Sequence, residues 1–170
     1  MLAILIAAMA AAQGGSAAPA AVVPAPNAAA ACTSAEHHQF DFWVGRWDVY
    51  GPKGKLQAHS LIEKLYDGCG IRENWMPLKK PGGGSLSIYV PDQKRWEQFW
   101  IDSSGSRAFF TGGWNGKAMV IQGEWGGPLV RMSYSKDADG SVRQFGEQST
   151  DEGKTWKPNF DFTYRPAATQ

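Results

Sequence analysis

Turn signals punctuate the chain from Ser34 onward at short intervals. The segments "GPKG", "PDQK", "DSSGS", "WNGK", "WGGP" and "KDADG" each separate short runs rich in aromatic and β-branched residues. Runs of this kind, bounded by Gly, Pro, Asn and Asp, read as strands. The candidates are 46–50, 55–66, 71–76, 85–90, 95–102, 106–112, 118–125, 129–135, 142–149 and 159–165. No stretch keeps a helical period, and no internal repeat is present. Short loops join antiparallel neighbours, so about ten strands in a row imply an up-and-down meander. Such a meander most simply avoids exposed edges by closing into a barrel. The expected fold is therefore all-β, a barrel of about ten antiparallel strands. One short helical turn in "SAEHHQFDFWVG", capped by Ser34, is expected before it.

One motif points elsewhere. "STDEGKTW", from Ser149 to Trp156, fits the Asp-box pattern S-x-D-x-G-x-T-W found in the blades of sialidase-type propellers. A propeller needs about forty residues per blade and at least about four blades, each usually with its own copy. A single copy in a chain of 170 residues is better read as a hairpin device. Asp151 would accept backbone N–H groups across the turn, Gly153 would supply positive φ, and Trp156 would pack beneath.

Composition limits the function classes. Lys plus Arg (17) nearly balance Asp plus Glu (16), which gives no electrostatic case for nucleic acid or an acidic membrane surface. Eight Trp, eight Phe and five Tyr supply far more ring surface than a linker could use. The first residues differ in kind. "MLAILIAAMAAA" has the length of a signal-peptide apolar region and is too short for a permanent span. Residues 1–20 are expected to be a signal peptide, without a Lys or Arg ahead of the apolar run and with cleavage after Ala18 or Ala20. Residues 21–33 are expected to be an Ala/Pro-rich disordered linker, and 34–166 the barrel domain. The protein is accordingly expected to be periplasmic or secreted, with no membrane span in the mature chain. Cys32 and Cys69 are then expected to form a disulfide. Lipidation of Cys32 is the alternative, but it lies well beyond the apolar run and lacks a Leu three residues earlier.

Alternation indicates which side chains meet inside a barrel. "RWEQFWID" divides into Trp96, Gln98, Trp100 and Asp102 on one face and Arg95, Glu97, Phe99 and Ile101 on the other. In "IRENWMP", Ile71, Glu73 and Trp75 oppose Arg72, Asn74 and Met76; in "SLSIYV", Ser85, Ser87 and Tyr89 oppose Leu86, Ile88 and Val90. Period alone does not say which face is inside. The favoured interior is Glu73, Trp75, Ser87, Tyr89, Trp96, Gln98 and Trp100, flat rings with a few polar groups, which is the make-up of a small-molecule pocket.

At "FDFWVGRWDV" the chain resembles a known superfamily. Gly45-Arg46-Trp47 is similar to the G-x-W that opens the first strand of lipocalins and other calycins. With "DGCGIRENW", "RWEQFWID", "VRQFGEQSTDEGKTW" and "FDFTYR", the pattern from Phe40 to Arg165 resembles a bacterial family of secreted calycin-like domains of unknown function. The resemblance implies a ten-stranded lipocalin-like barrel and export, and it supplies no reaction. It also implies that Trp47 packs across the closed end near an Arg late in the chain, for which Arg165 is the candidate. Nitrobindins hold haem in a similar barrel through a late His. Here His37, His38 and His59 are all early, so haem is not expected and no cofactor is implied.

Other chemistry is thin. "HHQFD" lacks a third ligand at a helpful spacing, so no metal site is expected. The carboxylates Glu73 and Asp102 are both expected to face the interior, where desolvation would raise their pKa values. Arg72, Arg131 and Arg143 are the candidate partners for a structural pairing. Two functions follow. One is an exported module that binds a small, partly apolar or ring-containing molecule. The other is a cofactor-independent isomerase, cyclase or lyase in which Glu73 or Asp102 moves a proton and Tyr89 or Gln98 polarises a carbonyl. A carboxylate paired with Arg favours the module; a lone one above a cavity favours chemistry. A patch of Leu86, Ile88 and Val90 on the outside would instead favour protein interaction, and an oligomer is possible.

Overall fold

A computed structural model describes residues 32–168; the expected signal peptide and nearly all of the expected linker lie outside them. Two short 3-10 helices, Ala35–His38 and Asp41–Trp43, precede ten strands. These are β1 Gly45–Tyr50, β2 Leu56–Leu65, β3 Gly70–Pro77, β4 Gly83–Val90, β5 Arg95–Asp102, β6 Arg107–Trp114, β7 Met119–Glu124, β8 Leu129–Lys136, β9 Val142–Ser149 and β10 Lys157–Pro166. Each strand pairs antiparallel with its sequence neighbour, and β1 also pairs with β10, Val49 opposite Tyr164, so the sheet closes on itself. Closure leaves no strand edge to be covered. This is the ten-stranded antiparallel barrel that the turn spacing implied, and it is consistent with a calycin-like fold.

The strand period settles the faces. Trp47 and Val49 of β1, Ser60 and Ile62 of β2, Ile71 and Glu73 of β3 and Ser85 and Ser87 of β4 are buried inside. Leu86, Ile88, Phe99, Ile101 and Phe109 take the opposite phase and lie on the outer wall, 44–55% exposed. Two ends of the barrel are distinguished by their loops. Connections 66–69, 91–94, 115–118 and 137–141 lie at one end, with the 3-10 helices; connections 51–55, 78–82, 103–106, 125–128 and 150–156 lie at the other.

Rings stop the first end. Phe40 and Trp43 stack at 4.9 Å, and Tyr134 meets both at 5.0 and 4.9 Å. Trp47 donates its indole N–H to the Trp43 carbonyl at 2.9 Å, tying β1 to the helical segment. Gly45 lets that indole lie against the backbone, since a Cβ would sit only 3.2 Å from the ring. Two expectations fail here. Arg165 does not reach Trp47: it shares a strand with inward Tyr164 but has the opposite phase, and its guanidinium lies 5.0 Å over the outward Tyr50 ring. Trp47 has Tyr164 beside it instead, at 6.3 Å. Ser34 does precede the first helix, but its hydroxyl meets the Glu36 carboxylate and the His37 ring rather than a backbone N–H.

Cys32 and Cys69 are disulfide-bonded, joining the chain before the first helix to the β2–β3 connection at the closed end. The Asp-box sequence is the β9–β10 hairpin. Asp151 accepts from the Thr155 amide at 2.9 Å and from the Thr155 and Ser149 hydroxyls at 2.6 and 2.7 Å. Gly153 has φ +85°, and Trp156 donates to its carbonyl at 3.0 Å under the Arg131 guanidinium. Among the described residues no helix is long and apolar enough to cross a membrane.

Candidate functional site

Above the ring plug the barrel is hollow. A cavity of about 240 Å³ is walled by Trp75, Trp100, Phe110, Trp125, Met132, Phe160 and Phe162, with Glu73, Gln98, Tyr134, Gln144 and Tyr164 as its polar lining. The alternation of six strands aims these groups at one volume. Gly146 of β9 keeps room for it, because a Cβ there would collide with the Phe160 ring. The rings are pinned: Phe160 stacks on Phe162 at 5.2 Å, Phe162 lies 5.5 Å from Trp75, and Trp100 lies 5.9 Å from Trp125. Trp125 donates to the Ser106 hydroxyl at 2.9 Å and Trp100 to Asp102 at 3.4 Å. Trp75, Trp100, Trp125 and Phe162 also line a wider mouth of about 730 Å³ at the end away from the helices.

The polar groups are hydrogen-bonded in three sets rather than standing as isolated points. Glu73, 6% exposed, accepts from Ser85 at 3.0 Å and from Ser60 at 3.4 Å. Tyr164 donates to the Gln144 carbonyl oxygen at 2.7 Å, and the Gln144 amide donates to the Tyr134 oxygen at 2.9 Å. The Gln98 amide donates to Ser87 at 3.0 Å. Buried polar groups need such partners. Burial pushes the Glu73 carboxyl up to about 7, against the Ser85 and Ser60 hydroxyls, which hold it down. Burial, and then the Glu73 charge, raise both tyrosines well above their ordinary value. Glu73 is therefore near its midpoint at neutral pH, while the tyrosines stay protonated as donors.

The expected pairing of Glu73 with arginine does not occur. Arg72 is bound to Glu63, Arg131 to Glu147 and Arg143 to Asp161, all in the outward phase. Asp102 also departs from expectation. It stands at the mouth, where the Ser104 hydroxyl and amide, the Trp100 indole and the Ser106 amide hold its carboxyl below the usual range. Strand β5 ends there, so the side chain closes its own turn instead of being desolvated.

Of the seven expected interior residues, Glu73, Trp75, Gln98 and Trp100 line the cavity. Ser87 sits behind Gln98. Tyr89 and Trp96 face inward but pack at the closed end, Tyr89 against His37 at 5.2 Å and Trp96 against Phe40 at 5.7 Å. Tyr89 is thus placed away from Glu73, and the phenols that line the cavity are Tyr134 and Tyr164. These, with Phe110, Trp125, Met132, Gln144, Phe160 and Phe162, are the lining groups that reasoning from β3–β5 alone missed. Their signal was present: "NFDFTY" alternates Phe160, Phe162 and Tyr164, and Gln144 is in phase with Gly146. Among the described residues no cluster of His, Cys, Asp and Glu suited to a metal ion occurs. The sequence matches no protein-family model and no curated protein.

Proposed function

We propose that this protein is an exported, calycin-type barrel that binds a small, partly apolar, ring-containing molecule in its cavity. The observation that carries this reading is a ring-walled hollow, open at one end, with hydrogen-bonded polar groups along its lining. Apolar walls with a few placed polar groups are the usual design of a ligand site. Trp75, Trp100 and Phe162 would stack on the ligand, and Glu73, Gln98 and Gln144 would orient it. The Cys32–Cys69 disulfide supports an oxidising compartment and hence the exported location.

Native mass spectrometry of the gently purified protein, beside the same sample denatured, tests this. A bound molecule released on denaturation is expected, with retention weakened by Trp100→Ala. A barrel of bare processed mass counts against the reading.

A second reading, a cofactor-independent enzyme, is favoured by one feature: Glu73 has no arginine and stands near its midpoint in the lining of a cavity. Such a group can take and return a proton, with Tyr164 or Gln144 polarising a carbonyl. Adding the released molecule back in excess separates the two. A binding module leaves it unchanged. An enzyme converts it, and Glu73→Gln stops conversion while retention persists.

A further inference from the structure

The mouth and the cavity differ in charge as well as width. Lys55, Lys79 and Lys80 line the mouth, and Asp102 is the one carboxylate beside them. None of the three lysines forms an ion pair among the described residues. Asp102 stays ionised, held below its usual range by Ser104, Ser106 and Trp100, and offsets only one of the three positive charges, so the mouth keeps a positive excess. Deeper in, no cation lines the cavity, and its one carboxyl group is Glu73.

Size adds a second constraint. The inner cavity, about 240 Å³, falls just short of the ~300–1,000 Å³ typical of ligand sites. An occupant of ordinary ligand size must therefore reach into the mouth, past the four rings common to both spaces.

We infer that the ligand is a ring-bearing organic anion that enters body first, leaving its carboxylate, sulfonate or phosphate among Lys55, Lys79 and Lys80. This rests on the binding reading above and names its ligand class and orientation. Insertion with the acid inward is opposed twice: the anion would lose its water among rings, and it would approach Glu73. Insertion with the acid outward keeps the charge solvated and beside three cations.

Two fluorescent probes with one ring skeleton test this on the intact protein: anilinonaphthalenesulfonate and its uncharged parent, phenylnaphthylamine. At about 20 mM salt the sulfonate should bind roughly tenfold more tightly, and the advantage should collapse at about 500 mM as screening shortens to a few Å. Lys79→Glu with Lys80→Glu, on an exposed loop, should remove the same advantage and leave the neutral probe's affinity as the internal reference. The outer-wall pair Leu86→Ser and Phe99→Ser should change neither titration. Equal binding of the two probes overturns the anion inference and leaves the cavity reading standing. So does a sulfonate preference that survives the lysine reversal. Loss of binding in the outer-wall variant also overturns it, by moving the signal to the surface. If neither probe binds, both readings fall.

Discussion

Glu73 is where the chemistry of single residues matters most. Its carboxyl is raised by burial from an ordinary 4.5 to about 7. A raised acid binds more protons in the folded than in the unfolded state between those values, so stability falls as pH rises through that window. The loss amounts to roughly 3 kcal/mol once pH is above 7. Glu73→Gln keeps the shape and removes the charge. Its denaturation midpoint should match the parent below pH 4.5 and exceed it clearly at about pH 8. Equal midpoints at both values would show that Glu73 titrates normally. Ligand retention should move oppositely if the ionised form orients the ligand. Asp102 illustrates how a neighbouring carboxylate on the same face acquires the reverse shift: it is exposed enough to keep water and is held by its own turn. Alternation correctly put both on one face, but it says nothing of depth along the barrel axis.

At the scale of elements, the β9–β10 hairpin and the disulfide can be tested separately. Asp151 is held at about 2 by the Thr155 hydroxyl and amide and by Ser149. A depressed acid contributes stability above its unfolded value, lost as pH falls through the folded one. Asp151→Asn should therefore unfold at a lower temperature than the parent at pH 7, and the gap should close as pH drops from 4 toward about 2. Thermal melts across that range decide it. The Cys32–Cys69 bridge spans 37 positions, for which chain entropy gives ~4 kcal/mol. Replacing both by Ala should lower stability by about that amount in urea titration, with the cavity at the far end still binding its ligand. Both devices were readable in advance: the hairpin motif depends on local spacing, and two cysteines in a chain read as exported leave one pairing. The role of Arg165 was not, since it depended on which face of β10 it took.

For the whole molecule, closure between the first and last strands is what creates an interior. β10 contributes Phe160, Phe162 and Tyr164 to the cavity and, among the described residues, is the only strand paired with β1 besides β2. A chain ending before Lys157 should lose near-ultraviolet ellipticity and elute as aggregate, because both β1 and β9 become open edges. A chain ending after Ala168 should keep both the spectrum and the monodisperse profile. The outer row Leu86, Phe99 and Phe109 runs across β4, β5 and β6, with Ile88 and Ile101 beside it. Leu86 and Ile88 thus form part of an exposed patch, while Val90 is half-buried.

The amino-acid sequence by itself determined the strand count, the antiparallel order and which residues share a face, because turn chemistry and two-residue alternation act over a few neighbours. It also placed Glu73, Trp75, Gln98 and Trp100 on one side of their strands. Only the tertiary structure decided that this side is the inside, that Tyr89 and Trp96 belong to the plug rather than the cavity, and that Tyr134, Gln144 and Tyr164 join Glu73. Depth along the axis and the meeting of distant strands depend on how the closed sheet staggers and coils. That is a property of all ten strands at once, and no local run of residues contains it.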